Sequence, residues 1–249
     1  MVGTLEYASL SEHVYLHLRR QMNSGGLNPG STINIGEIAE QLGISKTPLR
    51  DALIHLECEG FVTILPRRGV LVNELTIEEV RNAYDSIGLV ESHLITENIK
   101  NITPSLIKKL EALNKKMNAE ITSGDFSNLF ESNLEFHNTY LDISDNTMLK
   151  KFILPIKHRL YDFPRHNFIA EWELRNCVEH ARFIDYLKQG DGKGAAHVLK
   201  NEHWSFDTQK EYIYQFFLHY ILLLYLISLF FLVKSESLTT EIFTHVSPG

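Results

Sequence analysis

The 249-residue sequence predicts a mostly helical protein: a small N-terminal unit of three helices and a β-hairpin, a longer all-helical bundle, and an apolar C-terminal helix. Short apolar periodicities of three and four residues, broken by glycines, fill residues 1–60. One strand–turn–strand pattern follows over 61–72. Residues 74–212 then read as successive helices without a convincing strand pair, and 213–233 are almost continuously apolar. The expected domains are therefore 1–73, 74–212 and 213–249, the first joint being Asn73-Glu74-Leu75, just before a helix start where Thr76 and Glu79 fit a capping box.

A composition of 44% hydrophobic and 22% charged residues is that of an ordinary globular chain and excludes a disordered or fibrous protein. Cys58 and Cys177 are too few for a disulfide framework, so a reducing cytoplasm is expected, with both thiols in the core. Met1–Glu6 has no basic stretch leading into an apolar run, so no signal peptide is expected. A net charge of −7 argues against indiscriminate coating of nucleic acid but leaves room for local recognition.

In the first unit, Leu10, Val14, Leu18 and Met22 give an amphipathic helix that ends at Gly25–Gly30. A second helix, 35–42, turns Ile35, Ile38, Ala39 and Leu42 inward, and Gly43 supplies the left-handed residue after it. Ser45 can cap a third helix, with Pro48 in its first turn, where a missing N–H costs nothing. Leu49, Ala52, Leu53 and Leu56 form its inner stripe, and Gly60 stops it. Phe61–Leu65 and Val70–Val72 flank a turn at Pro66–Gly69. Three helices and a hairpin in this order make a winged helix-turn-helix.

Burying that leucine stripe turns Lys46, Thr47 and Arg50 outward at the end of the helix that enters a major groove. Lys46 and Arg50, four apart, share a face, so two cations and a hydroxyl reach phosphates and base edges together. Arg67 and Arg68 at the hairpin tip can grip a neighbouring phosphate or minor groove. Residues 1–73 hold six Lys and Arg against seven Asp and Glu, so the positive charge is local to the reading helix and the wing.

The run from Ile35 to Leu53, with Gly43-Ile44-Ser45-Lys46-Thr47-Pro48-Leu49-Arg50-Asp51-Ala52-Leu53 at its heart, closely resembles the GntR family of bacterial transcription regulators. That resemblance implies Lys46, Thr47 and Arg50 as DNA contacts and Gly69 as the wing glycine. The expected DNA-binding set is Ser45, Lys46, Thr47, Arg50, Arg67, Arg68 and Gly69. Lys46 occupies a position where the family usually has Arg; it keeps the charge but loses the bidentate fork that reads guanine.

In the bundle, the expected inner faces are Phe130, Leu134, His137 and Leu141 in a helix over 127–142, Cys177, His180, Ile184 and Leu187 over 171–189, and Ala196, Leu199, His203 and Phe206 over 193–210. One histidine on an apolar face is usually a satisfied core residue. Three of them from three helices, with Asn133 one turn before His137, point to a shared site suited to Zn²⁺, Ni²⁺ or a similar divalent transition metal. This region resembles the FCD effector domain of the FadR-type subfamily: Leu134-Glu135-Phe136-His137 is similar to its Asp-x-x-Phe-His motif, Glu179-His180 to its Glu-His pair, and His203 to its terminal histidine. The resemblance implies a metal set of Asn133, His137, His180 and His203, with an amide at 133 where metal-binding members carry Asp. Ile87 occupies a position where the family often has an Arg expected to hold an acidic effector. Arg159, Arg165, Arg175 and Arg182 read as surface charges, any of which could compensate.

The apolar segment Ile213–Val233 is long enough to span a bilayer. Three readings stay open: a helix buried at a dimer interface or against the bundle, a membrane anchor, and an end with no selected role. Aromatics spread along it rather than gathering at its ends, which disfavours the anchor. The functional expectation is a cytoplasmic homodimer that binds palindromic operator DNA, a repressor whose affinity for DNA responds to a small-molecule effector such as an organic acid. The rival reading is a metal-dependent hydrolase using the three histidines. It lacks a His-Glu-x-x-His motif, and Glu135 and Glu179 lie so near histidines in sequence that a helix should turn them away from the site.

Overall fold

In the computed structural model, which describes residues 9–126, 128–161 and 168–217, the order of elements follows where apolar stripes and capping residues fall. Helix α1 (Leu10–Asn23) starts at Ser9, whose hydroxyl accepts the Glu12 N–H, and buries Val14, Tyr15, Leu18 and Met22. Leu10, expected on the inner stripe, is 54% exposed, because helix α1 meets the core only from its second turn, where Val14 and Tyr15 are buried. Helix α2 (Ile35–Leu42) is capped by Asn34 and closed by Gly43 at φ 64°. Of its expected stripe Ala39 is buried, while Ile35, Ile38 and Leu42 pack half-buried against the same core.

Helix α3 (Lys46–Cys58) carries Pro48 in its first turn. Leu49, Leu53 and Leu56 have no exposed surface, and Ala52 almost none. Burying three leucines contributes about 5–9 kcal/mol before chain entropy is counted. Strands β2 (Val62–Leu65) and β3 (Gly69–Val72) form the wing, with Val62 opposite Val72 and Leu65 opposite Gly69. A strand not anticipated from sequence, β1 (Thr32–Ile33), pairs with the other edge of β3, giving the order β1-β3-β2.

The joint at 73–75 is followed by helix α4 (Ile77–Asn98), capped by the expected Thr76/Glu79 capping box. A 3₁₀ turn (Ile99–Asn101) leads to α5 (Pro104–Ser123), then α6 (Leu129–Leu141), α7 (Thr147–Tyr161, with Pro155 inside it), α8 (Ala170–Lys188) and α9 (Gly192–Val198). Two expectations need correction. In α6 the fully buried aromatics are Phe136 and Tyr140, with Phe130 and Leu134 half-buried, because the helix is rotated to put Phe136 on α8. The single helix expected over 193–210 is interrupted: Leu199–His203 form a π-helical turn, Trp204 leaves helical geometry, and helix resumes over 206–217. Leu199, His203 and Phe206 of the expected stripe are buried; in α9, ahead of the turn, Ala195 and Val198 are buried and Ala196 only half-buried.

Cys177 is buried, and burial pushes its thiol up to about 12. Cys58 is exposed, not in the core, because α3 turns its last residue outward. The protein is mostly helical, an N-terminal winged helix-turn-helix followed by a helical C-terminal region. The chain divides into two compact units, residues 1–209 and 210–249. In the second, 210–217 are helical; the rest of the apolar segment, 218–233, lies outside the described residues, as does Arg165. Among the described residues no helix is long and apolar enough to cross a membrane.

Candidate nucleic-acid interface and candidate metal centre

The buried leucine stripe of α3 fixes its opposite face. Ser45, Lys46, Thr47 and Arg50 are all exposed at the helix N-terminus, on one surface. Ser45 is the N-cap residue, but its side chain makes no capping hydrogen bond among the described residues, which departs from its expected role. The first-turn N–H groups are thus left without a side-chain cap, at a helix end where an anion is favoured. At the wing tip Arg67 and Arg68 are exposed, and the turn closes through Arg68 N–H donating to the Leu65 carbonyl at 3.0 Å. Gly69 adopts φ 98°, and a Cβ there would lie 3.1 Å from Thr32 Cγ2, so β1 packs where only glycine leaves room. Arg67 is at φ 64°, a left-handed conformation that a side chain rarely adopts.

The bundle brings His137 (α6), His180 (α8) and His203 (π turn) together, each with a ring nitrogen within 4.8 Å of the others'. All three are buried. The rings lie against one another and against Phe136 and Trp204, with His180 stacked on Phe136 at 4.1 Å between centroids.

Two carboxylates orient this cluster. His137 Nδ1 lies 3.0 Å from Glu91 Oε2, and His203 Nδ1 lies 3.0 Å from Glu179 Oε2. A carboxylate only accepts, so each Nδ1 carries the proton and each Nε2 keeps a lone pair. Among the described residues His137 Nε2 and both ring nitrogens of His180 are buried without a hydrogen-bond partner. Buried nitrogens are rarely left so, and an ion among them would satisfy them; the donor set fits a divalent transition metal. Burial pushes His137 down to about 4 against the pull of Glu91, and holds His180 well below the ordinary value. Both are neutral near pH 7, the form that can ligate.

Glu91, in turn, is enclosed by donors. Lys157 Nζ donates to its Oε1 at 2.8 Å; Trp204 Nε1 and the Tyr140 hydroxyl donate to Oε2 at 2.8 and 2.5 Å. Burial alone would raise this carboxyl, but Lys157 and His137 beside it hold it well below the usual carboxylate range. None of Glu91, Lys157, Tyr140 or Trp204 was assigned a role from sequence. Glu179 also departs from expectation: it is buried, takes Arg175 Nε at 3.1 Å and the Gln209 amide at 3.1 Å, and faces His203 because the π turn packs on its side of α8. Glu135 does turn outward, to Lys109 at 2.9 Å. Both buried carboxylates therefore sit behind the rings, on the Nδ1 side, and not where a general base would face a water held by Nε2.

Asn133 and His203 line a polar cavity of about 30 Å³, with Tyr84, Tyr161 and Trp204 among its walls. The Asn133 amide approaches the Tyr161 hydroxyl at 3.5 Å. Ile87 is fully buried. Of the arginines read as surface charges, Arg175 and Arg182 pair with Glu179 and Glu202, whereas Arg159 is drawn into the joint with the winged unit.

Comparison with known proteins accords with this layout. Residues 10–72 match the family described as bacterial regulatory proteins, gntR family, and residues 82–203 match the FCD domain. The Nta operon transcriptional regulator of Aminobacter aminovorans is 31% identical over 190 residues, covering 74% of this chain and 87% of that protein. The transcriptional regulator McbR of Escherichia coli is 27% identical over 208 residues, 79% of this chain and 90% of that one. The solved structure of E. coli McbR/YncC superposes with a TM-score of 0.66 at 24% identity, covering 86% of this chain and all of that one, a likeness of fold.

Proposed function

This chain belongs to the GntR family of bacterial transcription regulators, DNA-binding proteins with a C-terminal effector-binding FCD domain, and from that premise we propose how it works. As a cytoplasmic homodimer it grips a palindromic operator, each copy presenting Ser45, Lys46, Thr47 and Arg50 to the major groove and Arg67, Arg68 and Gly69 to the adjoining backbone. His137, His180 and His203 hold a divalent transition metal such as Zn²⁺ or Ni²⁺, with the Asn133 amide as a weak fourth donor. Bound there, the ion supplies an electropositive centre and an open coordination position for an anionic effector. Glu91 and Glu179 keep His137 and His203 in the tautomer that turns Nε2 to the ion. The chain acts as a repressor, and ligand at this core changes DNA affinity by favouring one placement of the winged units.

The observation that carries the metal reading is the set of buried ring nitrogens on His137 and His180 without partners. Elemental analysis of purified protein tests it: about one transition-metal equivalent per chain is expected, lost in His137→Ala and His180→Ala. Protein that stays folded, carries no metal and takes up neither Zn²⁺ nor Ni²⁺ refutes the reading.

A further inference from the structure

We propose that Lys157, His158 and Arg159 form a one-turn strap on α7 that transmits the state of the histidine core to the winged unit; the proposal rests on that core being the ligand-binding centre. Consecutive helical residues project about 100° apart, so three in a row can touch three different bodies. Lys157 points inward, 1% exposed at its side chain, and its Nζ holds Glu91 Oε1 at 2.8 Å. Glu91's other oxygen holds His137. A metal candidate and the strap are thus two hydrogen bonds apart.

The next two residues face the winged unit. His158 Nδ1 accepts from Arg19 Nη1 at 3.0 Å; Arg19 also reaches the Tyr15 hydroxyl at 3.2 Å, and Tyr15 donates to Glu59 at the C-cap of α3 at 2.6 Å. Arg159 grips three pieces with one guanidinium: the Gly60 carbonyl just past the reading helix, the Glu74 carbonyl in the joint at 2.7 Å, and Glu79 of the α4 capping box at 2.9 Å. Hydrogen bonds and one helix backbone therefore run unbroken from His137 to the end of the helix presented to DNA.

The surroundings allow this contact to move. Pro155 lies inside α7 just before the strap and removes one helical hydrogen bond there. Beside the strap is a cavity of about 310 Å³ lined by Cys58, Glu59, Glu79, Pro155, Ile156 and Arg159 among others. Directed polar contacts of Arg159 border this cavity, which leaves room for a shift of Lys157 to be passed to Arg159.

The test uses full-length protein and the variants Arg159→Ala and Arg159→Lys, which keeps the charge but replaces the two-nitrogen guanidinium fork by a single ammonium, with Arg182→Ala as a control for losing a surface pair. Hydrogen–deuterium exchange needs no ligand: residues 57–64 and 73–82 should exchange tenfold faster or more in both Arg159 variants, with α5 and α8 unchanged and the control like wild type. DNA affinity is then measured with and without Zn²⁺ on a duplex selected from a random pool. Wild type should change fivefold or more, and the Arg159 variants less than twofold while taking up Zn²⁺ normally. By linkage the duplex should shift Zn²⁺ affinity by the same factor in wild type and not in the variants. Unchanged exchange at 73–82 with an intact Zn²⁺ response overturns the strap. If wild type takes up neither Zn²⁺ nor Ni²⁺, the metal reading fails by itself, and the exchange result alone decides the strap.

Discussion

Replacing Lys157 by Met tests the balance of the buried centre. Glu91 has no exposed surface and is held by four donors, of which Lys157 is the one full cation. Met fills the stem's volume but leaves a carboxylate facing only neutral donors. Breaking a buried ion pair from one side costs about 3–5 kcal/mol, which is the expected loss at pH 7 for chelator-treated protein in urea unfolding. The sign of the pH effect follows from Glu91. In wild type its carboxyl is held low, so its contribution is present at neutral pH and lost only as acid protonates it. In the variant the same carboxyl is raised by burial, so its penalty is present at pH 7 and relieved as pH falls. The gap between the proteins should therefore narrow by about 1 kcal/mol or more between pH 7 and pH 5. Adding Glu91→Gln to Lys157→Met should restore stability to within about 2 kcal/mol of wild type. A loss under about 1 kcal/mol at pH 7, or a gap that does not change with pH, refutes the account.

Arg50→Ala should weaken binding to the selected duplex by tenfold or more and lower the slope of log affinity against log salt by about 1 if Arg50 meets a phosphate; an unchanged slope with relaxed sequence preference assigns it to a base instead. His158 should make the protein acid-sensitive. Burial first, then Arg19, Lys157 and His55, bring it from 6.5 down to about 4, so its contribution is whole above pH 6.5 and is lost as pH falls towards 4. Fully felt, that difference is worth about 3 kcal/mol, and partial exposure to water reduces it to about 1–2 kcal/mol. Urea midpoints at pH 7 and pH 4.5 should show His158→Gln losing about 1 kcal/mol less on acidification than wild type.

What the sequence disclosed divides along a physical line. The α3 stripe was legible because Leu49, Leu53 and Leu56 repeat at helical spacing with cations on the other face, and the Thr76/Glu79 box because it is local. The three histidines were legible because each falls in an apolar stripe. Strand β1 was not: two residues, Thr32 and Ile33, are strand only because β3 lies beside them some forty positions later in the chain. The π turn was hidden because four positions at plausible spacing look like one continuous helix. Glu91 and Lys157 were passed over as charges, yet each sits where an apolar residue is due: Glu91 between Ile87 and Leu94 on the buried face of α4, Lys157 between Ile153 and Leu160 on that of α7. Opposite charges in the buried registers of two helices are a readable sign of a pair, though not of which helices meet. Arg159 gave no such sign, since its acceptors are mostly backbone carbonyls.

The hairpin of the winged unit is bordered along β3 by a third strand. Because Thr32 and Ile33 bond to β3 opposite β2, β3 is an inner strand and not a free edge, and β1 itself runs directly into α2. A flap hinged only at its base could bend to suit different duplexes; this one is seamed to the segment that leads into the helix pair. Control over such a head is exercised by aiming it, and its fit to a groove is settled when it folds.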